Sequence, residues 1–468
     1  MHPDSRPGCT LALFWTHRRA EATRFLKRYE QIFTTRSDGK VWPRWKDIWM
    51  MAGKYNQALL SPGRKKSMQR IARRVNVSED SVEQFIRESP WEHDRLQVHL
   101  NTGMPDVFRP DKCAFVVDEV GITKQGKHSV GVQRQYNGAQ GKIGNSQVAV
   151  DLICVVPDRE YNAKQLTWPL GMEIYLPKSW TEDSERREEA GIPDTVFFRT
   201  KTQIAISLKD RALVHGVRPA FLAADSGYGE SGEFREFLRQ RVLPYALQIG
   251  PDDIRVMDAS VKTVPPGSGR RKETFPEHTP VLSAVDVADS MSEWETVAWT
   301  KGTKGKMSGQ FARRMVRVIE NSQMRYTTDE VCWLLLEKIR KDSGEELKAY
   351  LCWGMDSASL RQLVRCAHIR WTVEQFHRDT KQLLGLDSFE GRTWKGWQHH
   401  ILMVLLAFAF IASLRAGMRD DVKLPSFPSI VRMIVLEVAT QELMDKRRMP
   451  RKDARPAAEL MLRGYSDW

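Results

Sequence analysis

The strongest constraint on the fold is a succession of short apolar runs between Cys113 and Gly250, each about the length of one strand. CAFVVDEV (113–120), QVAVDLICVVP (147–157) and MEIYLP (172–177) follow one another. After an amphipathic stretch, TQIAISLKDRALVHG (202–216), come PAFLAADSGYG (219–229) and LPYALQIG. Runs this short and this rich in Val, Ile and Phe predict strands, and the 202–216 periodicity predicts a helix. Three consecutive strands, a helix, a strand, a second helix in EFREFLRQRV and a further strand predict a mixed α/β sheet covered by helices. Two of the strands close on acids, Asp118 and Asp225.

A second pattern lies far downstream in RWTVEQFHRDTKQLLGLDSFEGR (370–392). Ile369, Val373, Phe376, Thr380, Leu383 and Leu384 fall at helical spacings, and Gly385 supplies a stop. Glu374 follows Arg370 by four residues and precedes Lys381 by seven, so the three share neighbouring faces. A carboxylate flanked by cations suits a site that holds a metal and a phosphate together; the same pattern also fits a solvated face. Two strand-terminal aspartates and a helical glutamate are what two-metal phosphoryl transfer needs. Hard Mg²⁺ ions take oxygen ligands, and two ions roughly 3.5–4 Å apart share at least three carboxylates. Glu390, beyond Gly385, is the other candidate for the third acid.

The net charge of +13, carried by 72 Lys and Arg along a chain of ordinary hydrophobic content, points to a polyanionic partner, most simply nucleic acid. Within 67–86, SMQRIARRVNVSEDSVEQFI has helix-turn-helix character: Ile71, Ala72 and Val75 line one helix, Asn76 turns, and Ser78 caps a second. Arg70, Arg73 and Arg74, with Arg64, Lys65 and Lys66 upstream, are placed to meet phosphates; an ordinary helical hairpin is the alternative. TKGTKGKMSGQFARRMVRVI holds Lys301, Lys304, Lys306, Arg313 and Arg314 without an acid, as expected of a phosphate-gripping loop and strand or of a solvated turn. Trp394 and Trp397, interleaved with Arg392, Lys395, His399 and His400, either wedge a distorted DNA end or pack under the helix that begins near Ile401.

Several classes drop out. The six cysteines form no C-x-x-C and sit mostly in apolar runs, reading as buried thiols in a reducing compartment. Gly121, Gly126 and Lys127 have phosphate-loop spacing, but His128 stands where a hydroxyl is required and a strand follows, so nucleotide triphosphate binding is not expected. Glu374 and His377 form a lone E-x-x-H, short of a di-iron set. The apolar run Ile401–Leu414 is too short to cross a bilayer and predicts a core helix. A cytoplasmic, membrane-free protein is expected.

The longer motifs are more specific. VVDEVGITKQGKHSVGVQRQYNGAQGKIGNSQVAV, LPKSWTEDSERREEAGIPD, AADSGYG, WTKGTKGKMSGQFARRMVRV and RWTVEQFHRDTKQLLGLDSFEGRTWKGWQHH occur in this order. Over residues 60–415 the chain resembles the DDE transposases of bacterial insertion sequences, in particular the insertion sequence 701 group, a relative of the insertion sequence 4 group. The resemblance implies a ribonuclease H-like core with Asp118, Asp225 and Glu374 as catalytic metal ligands for two Mg²⁺, with Mn²⁺ able to substitute. Asp118 would bridge both ions, and Arg370 and Lys381 would position phosphates. Arg370, Glu374 and Lys381 match the R-x3-E-x6-K part of the related group's signature; its tyrosine would fall at Ala367 and is absent. Glu119, where the group commonly has a second aspartate, would be an auxiliary ligand or a bystander.

The implied organisation is a helical DNA-binding domain (1–110), a first core segment (111–250), a strand-rich insertion (251–355), a second core segment with the glutamate helix (356–415) and a basic helical tail (416–468). The implied reaction cleaves transposon-end DNA and joins the 3′-hydroxyl to target DNA. Its partners are double-stranded terminal inverted repeats and target DNA, with at least a homodimer in the complex. The alternatives are a domesticated DNA-binding repressor and a nuclease without strand transfer.

Overall fold

The computed structural model describes residues 25–463 apart from 26, 62, 64, 109–112, 139–140, 158–164, 267–271, 303–304, 342–343 and 419–424. Its strands are β1 (Ala114–Thr123), β2 (Gln133–Asn137), β3 (Lys142–Val156), β4 (Leu166–Ile174), β5 (Phe221–Ala224), β6 (Tyr245–Ile249), β7 (Val256–Asp258), β8 (Glu295–Gly302), β9 (Gly305–Asn321), β10 (Tyr326–Lys341) and β11 (Gly344–Trp353). They form one sheet in the order β2-β3-β1-β5-β6-β11-β10-β9-β7, with β4 also on β3 and β8 also on β9.

The central part is ribonuclease H-like. β3 lies antiparallel to β1 and β4 antiparallel to β3, while β5 and β6 run parallel to β1. The parallel steps require crossovers, and helices Lys201–Val214 and Gly232–Gln240 supply them. The first is held at its start by a capping box between Thr200 and Gln203. The strands expected between 251 and 355 extend this same sheet, because β11 pairs antiparallel with β6.

One strand begins earlier than its apolar run suggested. β4 starts at Leu166 and contains Pro169, a residue with no N–H for a ladder. The register against β3 shifts between Leu152 and Ile153, opposite this proline, so an irregularity absorbs the missing donor.

Helix Trp394–Ala416 runs past both ends of its apolar core. By length and composition it could cross a membrane, but 83% of its most apolar stretch is buried inside the fold. N-terminal helices wrap it: the Tyr55 hydroxyl bonds His400 Nδ1 at 2.7 Å, His399 stacks on Trp91 at 3.8 Å, and His399 Nδ1 bonds the Ile86 carbonyl at 2.8 Å. Burial pushes both imidazoles down, to about 3 for His399 and about 4 for His400, so both are neutral packing groups. Trp394 and Trp397 are buried in the same core. With no free ring face, they pack and do not wedge DNA.

The Asp225 turn depends on a missing side chain. β5 ends at Ala224, Asp225 leads into the short helix Ser226–Gly229, and that helix sits directly on β6. A Cβ at Gly229 would lie 1.8 Å from the Gln248 carbonyl oxygen, and a strand backbone cannot yield that distance. Gly229→Ala is therefore expected to destabilise the protein by about 3 kcal/mol, the upper range for overpacking, as a lowered midpoint in urea unfolding.

Candidate active site

The site is built by one strand pair and one helix face. Asp118 lies in mid-β1, in register with Asp151 of β3. On the other side, β1 and β5 pair in parallel through Val116 and Ala223. Asp118 and Asp225 each lie two residues further along, which places them level with each other. Asp118 is buried, and burial together with the Asp225 charge pushes its carboxyl up to about 7, against the pull of His377 and Arg370. Asp225 Oδ1 is buried and has no hydrogen-bond partner among the described residues, and the same holds for Asp151 Oδ1.

The predicted glutamate helix spans Trp371–Leu384 and stops at Gly385, whose φ of 73° is the left-handed cap expected of a glycine. Arg370, at its start, bridges two predicted acids: Nη1 reaches Asp118 Oδ2 at 3.1 Å and Nη2 reaches Glu374 Oε1 at 3.3 Å. One turn on, His377 Nε2 donates to Asp151 Oδ2 at 2.6 Å. Another turn on, Lys381 Nζ donates to the Gly121 carbonyl at 2.8 Å. Arg370, Glu374, His377 and Lys381 thus run along one helix face, three of them docked on β1 and β3. Glu374 is the outermost, its side chain 53% exposed.

Asp118 and Asp225 lie level with each other, and Glu374 is tied to Asp118 through the Arg370 guanidinium. Among the described residues no three His, Cys, Asp or Glu close around one point. The donor set still suits a hard cation: it is all oxygen, it includes an unsatisfied buried carboxylate oxygen, and burial beside the Asp225 charge pushes the Asp118 carboxyl up. Glu119, on the opposite face of β1, pairs with Lys201 at 2.6 Å. Glu390 lies exposed in the stretch between the two helices, near Lys124.

The Asp151–His377 pair was not anticipated from the sequence. The available signal was an acid inside the apolar run QVAVDLICVVP, which needs a buried partner wherever it packs. Desolvation pulls the His377 imidazole down, but Asp151 and then Asp118 outweigh it, so His377 stands above its ordinary value of 6.5.

The expected DNA-facing cations fare unevenly. The two helices around Asn76 form as Met68–Val75 and Glu79–Arg87, with Asn76 at φ 52° and Ser78 accepting from the Ser81 N–H. The first helix exposes Arg70 and Arg73, with Arg74 half-buried, whereas the second exposes Glu79, Asp80 and Glu83. The second helix is thus a poor match for a groove-reading helix, and the positive face lies on the first. Lys66 is buried, its Nζ bonded to the Ala58 and Ser61 carbonyls at the end of helix Trp45–Leu60, and it caps that helix rather than meeting phosphates. Arg313 bonds the Ala358 carbonyl and lies 4.3 Å from the Trp333 ring, and Arg314 pairs with Asp258 at 3.1 Å. Both have internal partners. Lys304 lies outside the described residues; Lys301 and Lys306 pair across the β8–β9 ladder through their backbones, and their side chains lie outside the description. Arg392 is exposed.

Residues 48–306 match the family model described as the DDE superfamily endonuclease. The chain belongs to that family. The matched DDE region includes Asp118 and Asp225 and ends before Glu374. The protein named "Probable transposase for insertion sequence element IS701" from Microchaete diplosiphon is 28% identical over 192 residues, covering 41% of this chain and 46% of the relative. The match therefore spans less than half of that relative's length.

In this DDE-family chain, Asp151→Asn removes the larger of the two charges that hold His377 up and leaves Asp118 alone against burial. The His377 pKa is then expected to fall, read from the pH dependence of its ring resonances by NMR; an unmoved titration would break the assignment of that pair.

Proposed function

We propose that this chain is a transposase that cleaves transposon-end DNA and joins the freed 3′-hydroxyl to target DNA. The observation carrying the reading is the level placement of Asp118 and Asp225 on adjacent strands, with an unpartnered buried oxygen on Asp225, beneath a helix that presents Arg370 and Glu374. In this reading Asp118, Asp225 and Glu374 would hold two Mg²⁺, or Mn²⁺ in their place. Those ions would supply nucleophile activation and leaving-oxygen stabilisation for in-line phosphoryl transfer.

The chain's own groups do the rest. Arg370 places its guanidinium between Asp118 and Glu374, and its planar fork is suited to take a phosphate there. Lys381, anchored on the Gly121 carbonyl, keeps the helix registered on β1. His377 and Asp151 fix that registration from beneath, in a water-poor layer. The proposed domain organisation is the one set out above, with the Arg70–Arg73 face of the N-terminal helices contributing phosphate contacts. Double-stranded DNA is the partner, a homodimer holds two ends together, and the protein works in the cytoplasm on the nucleoid. The name of the matched family, an endonuclease, equally supports DNA cleavage without joining.

Incubation with plasmid carrying the DNA that flanks the gene tests this. Mg²⁺-dependent 3′-hydroxyl ends and joined products are expected from the wild type. Asp118→Asn, Asp225→Asn and Glu374→Gln should each lower cleavage by at least about a thousandfold, as for groups acting as one unit, with DNA binding retained. Cleavage without joined products would select the nuclease, and binding without cleavage the repressor.

A pH dependence follows from Asp118. A carboxyl raised to about 7 must lose its proton before it can ligate a cation. Mg²⁺ affinity should rise about tenfold per pH unit below about 7 and level off above it, and proton release on Mg²⁺ addition should be largest on the acid side. Calorimetric titration in buffers of different ionisation heat measures both.

A further inference from the structure

From Gly121 to Val150 the chain has no acidic residue, yet it carries Lys124, Lys127, Arg134 and Lys142. The structure turns this stretch into an arm. β1 pairs with β3 only as far as Thr123–Ser146, whereas β2 pairs with β3 from Gln133–Ser146 out to Asn137–Lys142. Residues 142–145 therefore bond to β2 beyond the last β1 pair, and the far end of this arm folds back so that Asn137 meets Gly121 and donates to the Thr123 hydroxyl at 3.3 Å.

Alternation gives the arm two unlike faces. On one, Asn137 is buried against Gly121, where a Cβ would meet its side chain at 2.2 Å, and the Gln135 amide donates to the Ser146 carbonyl. Gly121 is also the residue whose carbonyl Lys381 holds, so the arm stands on the strand that bears Asp118, over the face shared with Glu119. The other face presents Tyr136 opposite Ile143, which are 55% and 60% exposed. Arg134 shares that face, whereas Lys142, the register partner of Asn137, is exposed at the rim of the other. Asn145, bonded to the Lys124 and Gly126 carbonyls, ties the loop bearing exposed Lys127 beside it. An aromatic and an aliphatic residue paired in water, ringed by cations on an edge ribbon without acids, match a polyanion with an apolar interior.

We propose that the β2–β3 ribbon enters the major groove of bound duplex DNA, with Tyr136 and Ile143 against base edges and Lys127, Arg134 and Lys142 on the phosphate backbone. A two-stranded ribbon fits that groove, which is about 12 Å wide, and thymine methyl groups there offer apolar contact. The cations count against a second copy of the same arm as occupant. The inference rests on the DNA reading above and adds a surface to it.

Two double variants test it in the full-length protein: Tyr136→Ser with Ile143→Ser, and Arg134→Gln with Lys142→Gln. All four side chains are exposed, so unchanged urea unfolding serves as the folding control. The charge variant should reduce the slope of log Kd against log salt by about 2, roughly one per lost phosphate contact. The apolar variant should bind duplex about tenfold more weakly, the low end for losing base contacts. It should also lose the wild type's ability to displace methyl green, a major-groove dye. Unchanged affinity and slope in a wild type that nicks DNA with Mg²⁺ would overturn the ribbon and leave the function standing. Displacement of a minor-groove ligand in place of methyl green would do the same. A wild type that neither binds nor nicks duplex overturns both.

Discussion

The fold is arranged around a concentration of negative charge where a sheet can least tolerate it. Asp118 and Asp151 are buried side by side on β1 and β3, with the half-buried Asp225 level with them past the end of β5, and burial first and the Asp225 charge second push the Asp118 carboxyl up to about 7. Such a cluster survives only with counter-charge delivered at short range. One helix face delivers it: Arg370 to Asp118 and His377 to Asp151, with Lys381 anchoring the same face on the Gly121 carbonyl. The docking of that helix and the electrostatics of the site are therefore a single problem with a single solution. The long apolar helix behind it adds bulk, but the ionic seam sets the register.

Much of this was readable in advance. The strands bearing Asp118 and Asp225, the helix bearing Glu374 and its glycine stop all carry local signatures in period, length and cap chemistry. Each element is present, although β1 runs on to Thr123 and so carries Asp118 in its middle and not at its close. The sites where reading failed share a physical cause: a side chain's partner lies far away in sequence. Lys66 belongs to a basic run, yet it folds inward onto helix-end carbonyls. Trp394 and Trp397 alternate with cations, yet the N-terminal helices cover them. Asp151 looked like one more residue of an apolar strand, because its partner, His377, lies 226 positions away. Composition marks a charge and leaves its destination to the tertiary structure.

The polar surface is uneven in a way the net charge conceals. Cations near the site fall into those spent on holding the structure, as with Arg313 and Arg314, and those left outward, as with Arg73, Arg134 and Arg392. The second group lies on separate elements: an N-terminal helix, an edge ribbon and the stretch ahead of the apolar helix.

The bond from His399 to the Ile86 carbonyl closes a gap of 313 residues. The N-terminal helices share one hydrophobic cluster with helix Trp394–Ala416, so during synthesis their apolar faces stay wet until that distant helix has emerged. A product released before Ala416 therefore keeps an open core, with the N-terminal faces exposed to self-association and proteolysis.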